Sequence, residues 1–216
     1  MTIQISLSGK SRGNIAIVFL FAAVLVALVV TFHDRIPLLK DIKPVEAGEE
    51  NVSRWEALGT EMRLAHDQGE KIPAYRFSRK RLQFALENFG KEDDRYLEAV
   101  HDAGFLALDA KNFSHAKTYL NASLERLTEK FGGNHPKVAN ELGLLGMAYA
   151  RMYTDQPLSS SEQSAAEEYF EECLRIFREH APDQEYYNNY KEIAAYFYRM
   201  TGHPQRAAEL HPAPSA

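Results

Sequence analysis

The sequence predicts an all-α protein, an antiparallel helix-pair solenoid preceded by a single transmembrane helix. Three observations carry that fold class. Past Glu50 no Asn-Gly or Asp-Gly turn joins alternating apolar runs and β-branched residues are sparse, so strand signals are nearly absent. Apolar residues there recur at spacings of three and four, which places them on one face of a helix. Small residues also recur where close helix crossings need them, at Gly59, Gly104, Gly146 and Ala195. Gly104 and Gly146 are 42 residues apart, and Ala116 and Ala207 each follow a small residue by 12. The 216 residues carry a formal charge of −5, which excludes a nucleic-acid binder that works through a positive net field.

In chain order, residues 1–14 form a short basic tail holding Lys10 and Arg12. Ile15 to Phe32 is eighteen residues without a charge, a Pro or a Gly. As a helix it is about 27 Å long, close to the ~30 Å hydrocarbon core of a bilayer. The residues Val29-Val30-Thr31-Phe32-His33-Asp34 offer no A-x-A cleavage pattern, so the run reads as an uncleaved anchor rather than a cleaved signal. Arg35, Lys40 and Lys43 follow it, so the basic count on the two sides is nearly even. The basic tail directly before the first apolar run still points to an N-in signal anchor, with the C-terminal body in a periplasm or lumen. Residues 33–51, with Pro37, Pro44, Gly48 and mixed charges, form a linker. The body from Glu50 onward carries −6.

Within residues 52–211 the apolar faces are explicit. Leu97, Val100, Gly104, Phe105 and Leu108 share one; Leu120, Leu124, Leu127 and Phe131 a second; Val138, Leu142, Leu145, Tyr149 and Met152 a third. Polar breaks fall at Lys111-Asn112, Gly132-Gly133-Asn134 and Thr201-Gly202-His203-Pro204. A loop is expected over Tyr153–Ser161, ending in the capping box Ser164-Ala165-Ala166-Glu167 that restarts a helix through Phe177. One helix pair cannot bury both of its faces, so at least three pairs must stack; three and a half are present. Residues 212–216 form a tail.

Trp55-Glu56-Ala57-Leu58-Gly59 matches W-x2-L-G, and Gly146-Met147-Ala148-Tyr149 matches G-x2-Y. With the small residues at +12, these resemble the tetratricopeptide repeat (TPR) family. Phe131-Gly132-Gly133-Asn134-His135-Pro136-Lys137-Val138-Ala139 is similar to the junction of the longer, kinesin-light-chain-type repeat. Asn88–Asp94 and His180–Asp183 match that junction more weakly. The resemblance covers Ser53 to Leu210. It departs at Ile72-Pro73, where the helix turn should be short, and at the Tyr153–Ser161 insertion.

Chemistry-bearing residues fall into no catalytic pattern. The eight histidines show no H-x3-H spacing and no HExxH, and the single cysteine excludes thiolate zinc sites, so no metal and no cofactor are expected. Cys173 reads as a buried structural residue on an inner helix face. Glu167, Glu168, Glu171 and Glu172, with Arg175, read as a solvated helix face. No phosphate-binding glycine loop is present, and the reading is not an enzyme. Tyr186, Tyr187, Tyr190, Tyr196, Phe197 and Tyr198 serve either as core or as a partner surface.

The resemblance implies a protein–protein interaction or assembly scaffold whose concave face, made by the first helix of each pair, holds a segment of a partner protein. Its register implies that Glu56, Thr60 and Arg63, His101, Phe105 and Leu108, Met147 and Arg151, and Glu192, Tyr196 and Arg199 point into that groove. No run of Lys and Asn is among them, so a carboxylate clamp for an EEVD-like tail is not expected. The alternative is an enzyme or small-ligand sensor with a pocket in the helical domain, for which His101 near Phe105 is the only starting point. At the C-terminal end the fourth pair breaks off before Pro212, which predicts exposed apolar surface from Ala194, Phe197, Ala207 and Leu210. A weak homodimer or the partner would cover it, with Tyr186, Tyr187 and Tyr190 in the contact.

Overall fold

The computed structural model describes residues 48–181 and 185–210. The expected tail 1–14, the apolar run 15–32, the linker up to residue 47, the Pro182-Asp183 end of the last junction and the tail 212–216 lie outside the described residues. Eight helices follow one another among those described: α1 Glu49–Asp67, α2 Lys71–Asn88, α3 Asp94–Asp109, α4 Phe113–Phe131, α5 Pro136–Asp155, α6 Ser160–His180, α7 Glu185–Met200 and α8 Pro204–Leu210. They pack as four consecutive pairs, α1/α2 to α7/α8, and each pair packs on the next. None of these helices is long and apolar enough to cross a membrane.

Local chemistry sets the boundaries. Asp93 caps α3 by accepting a hydrogen bond from the Arg95 amide at 2.9 Å, and Asn112 caps α4 from the His115 amide at 3.3 Å. His135 caps α5, with Pro136 in the first turn where a missing N–H costs nothing. Pro73 sits in the first turn of α2 for the same reason, so it does not interrupt the helix.

The small residues lie where the helices cross. A Cβ on Gly104 would stand 2.7 Å from Leu120, and one on Gly146 would stand 2.8 Å from Phe170. Ala116, Ala195 and Ala207 are buried as well. Between these crossings Phe170, Phe177 and Phe197 are fully enclosed, each contributing about 2–3 kcal/mol of apolar burial. In the first pair the crossing differs, because Gly59 makes room for a guanidinium: a Cβ there would meet Arg81 Nε at 3.0 Å. That guanidinium lies 3.7 Å above the Trp55 ring.

Several expectations need correction. α5 continues to Asp155 and α6 begins at Ser160, so the expected long loop is short. The capping box is Ser159–Glu162: Ser159 Oγ accepts from the Glu162 amide at 3.3 Å, and Glu162 accepts from the Ser159 amide at 2.9 Å. Leu158 is buried just before it, which anchors the loop and fixes the earlier start. Phe131 is exposed at the end of α4 and stacks on His135, because its helix ends there. Glu167 is not solvated; it pairs with Arg206 at 2.5 Å and His203 at 2.9 Å, and Glu171 also pairs with Arg206. Arg175 binds Glu172 and Glu179 rather than Glu171.

These Arg206 contacts bear on the C-terminal end. They tie α8, which packs on α7, to the side chains of α6, and Ala194, Phe197 and Ala207 are buried within the chain itself, with Leu210 half-buried. Ala194, Phe197 and Ala207 therefore offer no exposed apolar surface for a homodimer, while Leu210 stays half-buried and Tyr186 exposed. Tyr190 is buried as well and does not belong to a contact surface.

Candidate functional site

The first helices α3, α5 and α7 lie side by side, and residues on their outward faces line a groove. Four predicted residues meet there. His101 and Phe105 come from α3, Met147 from α5 and Glu192 from α7. The same trough holds Asn140, Leu144, Tyr186, Asn189 and Ile193, which the register argument missed. Their signal is present one or two turns earlier on the same helices: Leu144 and Asn140 precede Met147 by three and seven, and Ile193 precedes Tyr196 by three.

The other predicted residues lie elsewhere. Leu108 is fully buried in the core, a correction that follows from its position on the inner side of α3 beside Ala107. Arg151 is turned to the end of α3, with Nη1 3.6 Å from Asp109 Oδ1. Glu56 and Arg63 are exposed on α1, where Arg63 donates to Thr60 at 3.3 Å. Tyr196 and Arg199 are exposed on α7 outside the trough. Of the aromatic group, Tyr190, Phe197 and Tyr198 are core, while Tyr186 is 57% exposed.

Tyr190 forms the floor. A Cβ on Gly143 would stand 2.5 Å from its ring, the ring stacks on Phe177, and its hydroxyl donates to Asn140 Oδ1 at 2.9 Å. The close fit locks α7 against α5 and so fixes the width of the trough.

Beside the trough a cavity of about 570 Å³ opens between α3, α4 and α5, sharing His101, Asn140 and Tyr186 with it. Its chemistry is dominated by a pair the sequence did not suggest: His101 Nδ1 lies 2.5 Å from Glu141 Oε1, and Glu141 is 1% exposed. Nearby, Arg81 donates to Asp102 at 2.5 Å and to Glu98 at 2.8 Å. Burial would lower the His101 pKa, but the hydrogen bond to Glu141 and the charges of Glu141, Asp102 and Glu98 outweigh it and hold the imidazole above its ordinary value. Burial raises the Asp102 carboxyl, against the lowering influence of Arg81.

A histidine whose folded pKa is raised contributes stability that is fully present below its unfolded pKa and lost as pH rises through the folded value. Asp102, also raised, acts with the same sign but in a lower window, which opens at the ordinary aspartate value, so the window from about 6.5 upward belongs to His101. The domain should therefore lose stability as pH rises from about 6.5 upward, and His101→Gln should flatten that fall. Thermal melts of both proteins across this range check it; parallel slopes would show that the imidazole charge does not change there.

Among the described residues no three His, Cys, Asp or Glu side chains are grouped to hold a metal ion. Cys173 is buried, and burial pushes its thiol far above the ordinary range, so no thiolate forms near neutral pH.

Solved structures share the architecture. BtubC (BKLC) from P. vanneervenii superposes with a TM-score of 0.58 at 19% identity, over 72% of this chain and 65% of that one. The fold is TPR-like. TPR-like repeats of a Podosopora anserina putative kinesin light chain superpose with a TM-score of 0.59 at 17% identity, over 73% of this chain and 72% of that one. A point variant of the same Podosopora anserina protein gives the same TM-score and identity, over 73% and 71%. The chain thus spans just under two thirds of the P. vanneervenii protein. No protein-family model and no curated protein matches the chain.

Proposed function

We propose that this chain is a membrane-tethered scaffold whose α3/α5/α7 groove holds a segment of a partner protein. The observation that carries the reading is the groove itself: half-buried Phe105, Met147 and Ile193 flanked by the exposed Tyr186 and Glu192, an apolar floor with a polar rim. That composition suits the core and rim of a protein interface. The adjacent cavity, lined by His101, Glu98 and Glu141, has the residue types the enzyme or ligand-sensor alternative requires. Its rim residues Glu98, Lys137 and Tyr186 are exposed, which favours a binding surface over an enclosed reaction chamber.

The tether is the uncharged run 15–32, and the basic tail before it supports a C-terminal body outside the cytoplasm. The protein should remain with membranes through carbonate extraction; release into the wash would remove the tether from the account.

The groove is tested with Tyr186→Ala combined with Glu192→Ala. Both side chains are exposed and line the trough, so the expected result is partner capture lowered about tenfold or more with Tm nearly unchanged. Full capture by the double variant would place the binding surface elsewhere.

A further inference from the structure

Two residues lining the α3/α4/α5 cavity each hold a buried polar atom without a hydrogen-bond partner, Glu141 Oε2 and Ser123 Oγ. Both residues are at most 1% exposed. An orphaned buried carboxylate oxygen costs free energy that a bound donor would recover. Charge points the same way. Arg81 pairs with Glu98 and Asp102, and His101 pairs with Glu141; the charges of Asp102 and Glu98 also act on His101, and the five side chains on α2, α3 and α5 together carry −1 with His101 protonated and −2 with it neutral. The two lysines at the cavity do not neutralise it, because Lys130 is bound to Asp94 and Lys137 lies over the Phe131 ring. What the cavity lacks is a cation rich in donors.

We propose that the cavity receives an arginine side chain of the partner segment, its guanidinium reaching Glu141 Oε2, Ser123 Oγ and Glu98, its stem lying along Leu97 and Leu127. Arginine suits this place better than lysine. Its planar fork presents several donors at fixed angles, it is more weakly hydrated than an ammonium, and it stacks on aromatic faces such as that of Tyr186 at the rim. The adjoining trough then takes an apolar side chain of the same segment, so the recognised motif is an arginine near a large apolar residue. This rests on the groove reading above and adds the chemistry of the occupant.

The test is a positional-scanning array of immobilised peptides probed with the full chain in detergent micelles. The expected result is binding enriched for arginine over lysine, glutamine and glutamate at one position near an apolar residue. Glu141→Gln should weaken the arginine-containing peptides about tenfold while leaving apolar-only binding in place. Should Glu141→Gln fail to fold, Glu98→Gln and Ser123→Ala carry the same expectation with smaller losses. Peptides that bind without an arginine preference, and lose binding with Tyr186→Ala, would overturn the arginine proposal and keep the groove. Absence of binding to every peptide would overturn both.

Discussion

Arg81→Met is expected to destabilise the domain by about 3 kcal/mol, a fall in Tm of about 6–12 °C. The side chain is 3% exposed, sits over Trp55 and holds Asp102 and Glu98 on the neighbouring pair, so its removal leaves two carboxylates without their cation and opens the space above the indole. Glu98 is half exposed and recovers hydration; Asp102 is more enclosed and accounts for most of the loss. Adding Asp102→Asn to Arg81→Met should recover about half of it, since breaking one side of a buried pair costs more than removing both. Chemical denaturation of the three proteins measures this. A loss below about 1 kcal/mol for the single variant would show that this contact contributes no more than a surface ion pair.

The second large effect is expected at Gly143. Alanine is the better helix former by about 1 kcal/mol, yet Gly143→Ala should destabilise by about 2 kcal/mol. The new methyl would stand 2.5 Å from the Tyr190 ring, which Phe177 and the Asn140 hydrogen bond hold in place. Relief requires α7 to move off α5, widening the groove. Tyr190→Leu should therefore lose stability alone but couple favourably with Gly143→Ala, and a double-mutant cycle reads that coupling. Additive losses would mean that the ring and the glycine do not constrain each other.

These two sites show what the sequence discloses and what it withholds. The pairing of helices was legible because a glycine or alanine is needed wherever two helices cross closely, and Gly104, Gly146 and Ala195 mark those points in order. Whether Tyr186 or Tyr190 of α7 lies inside was not legible. Tyr186 and Tyr190 are four apart in an aromatic-rich helix that offers apolar side chains on most of its faces, and only the hollow at Gly143 decides that Tyr190 is the buried one. The start of α6 was ambiguous because Ser159 and Ser164 each precede a glutamate by three; burial of Leu158 selects the first. His101 and Glu141 carry no local signal. They are 40 residues apart, close to the 42-residue period, so they occupy nearly equivalent places on adjacent first helices, and only the stacking of those helices brings them together.

The central claim, that the α3/α5/α7 face is where a partner is held, is most directly tested by site-specific photocrosslinking in membranes with the tether intact. A benzoylphenylalanine at Tyr186, in the groove, is compared with one at Thr118 and one at Asn121, both exposed on α4 outside it. A discrete crosslinked partner band is expected from position 186 and none from 118 or 121. A partner band from 118 or 121, with none from 186, would contradict it.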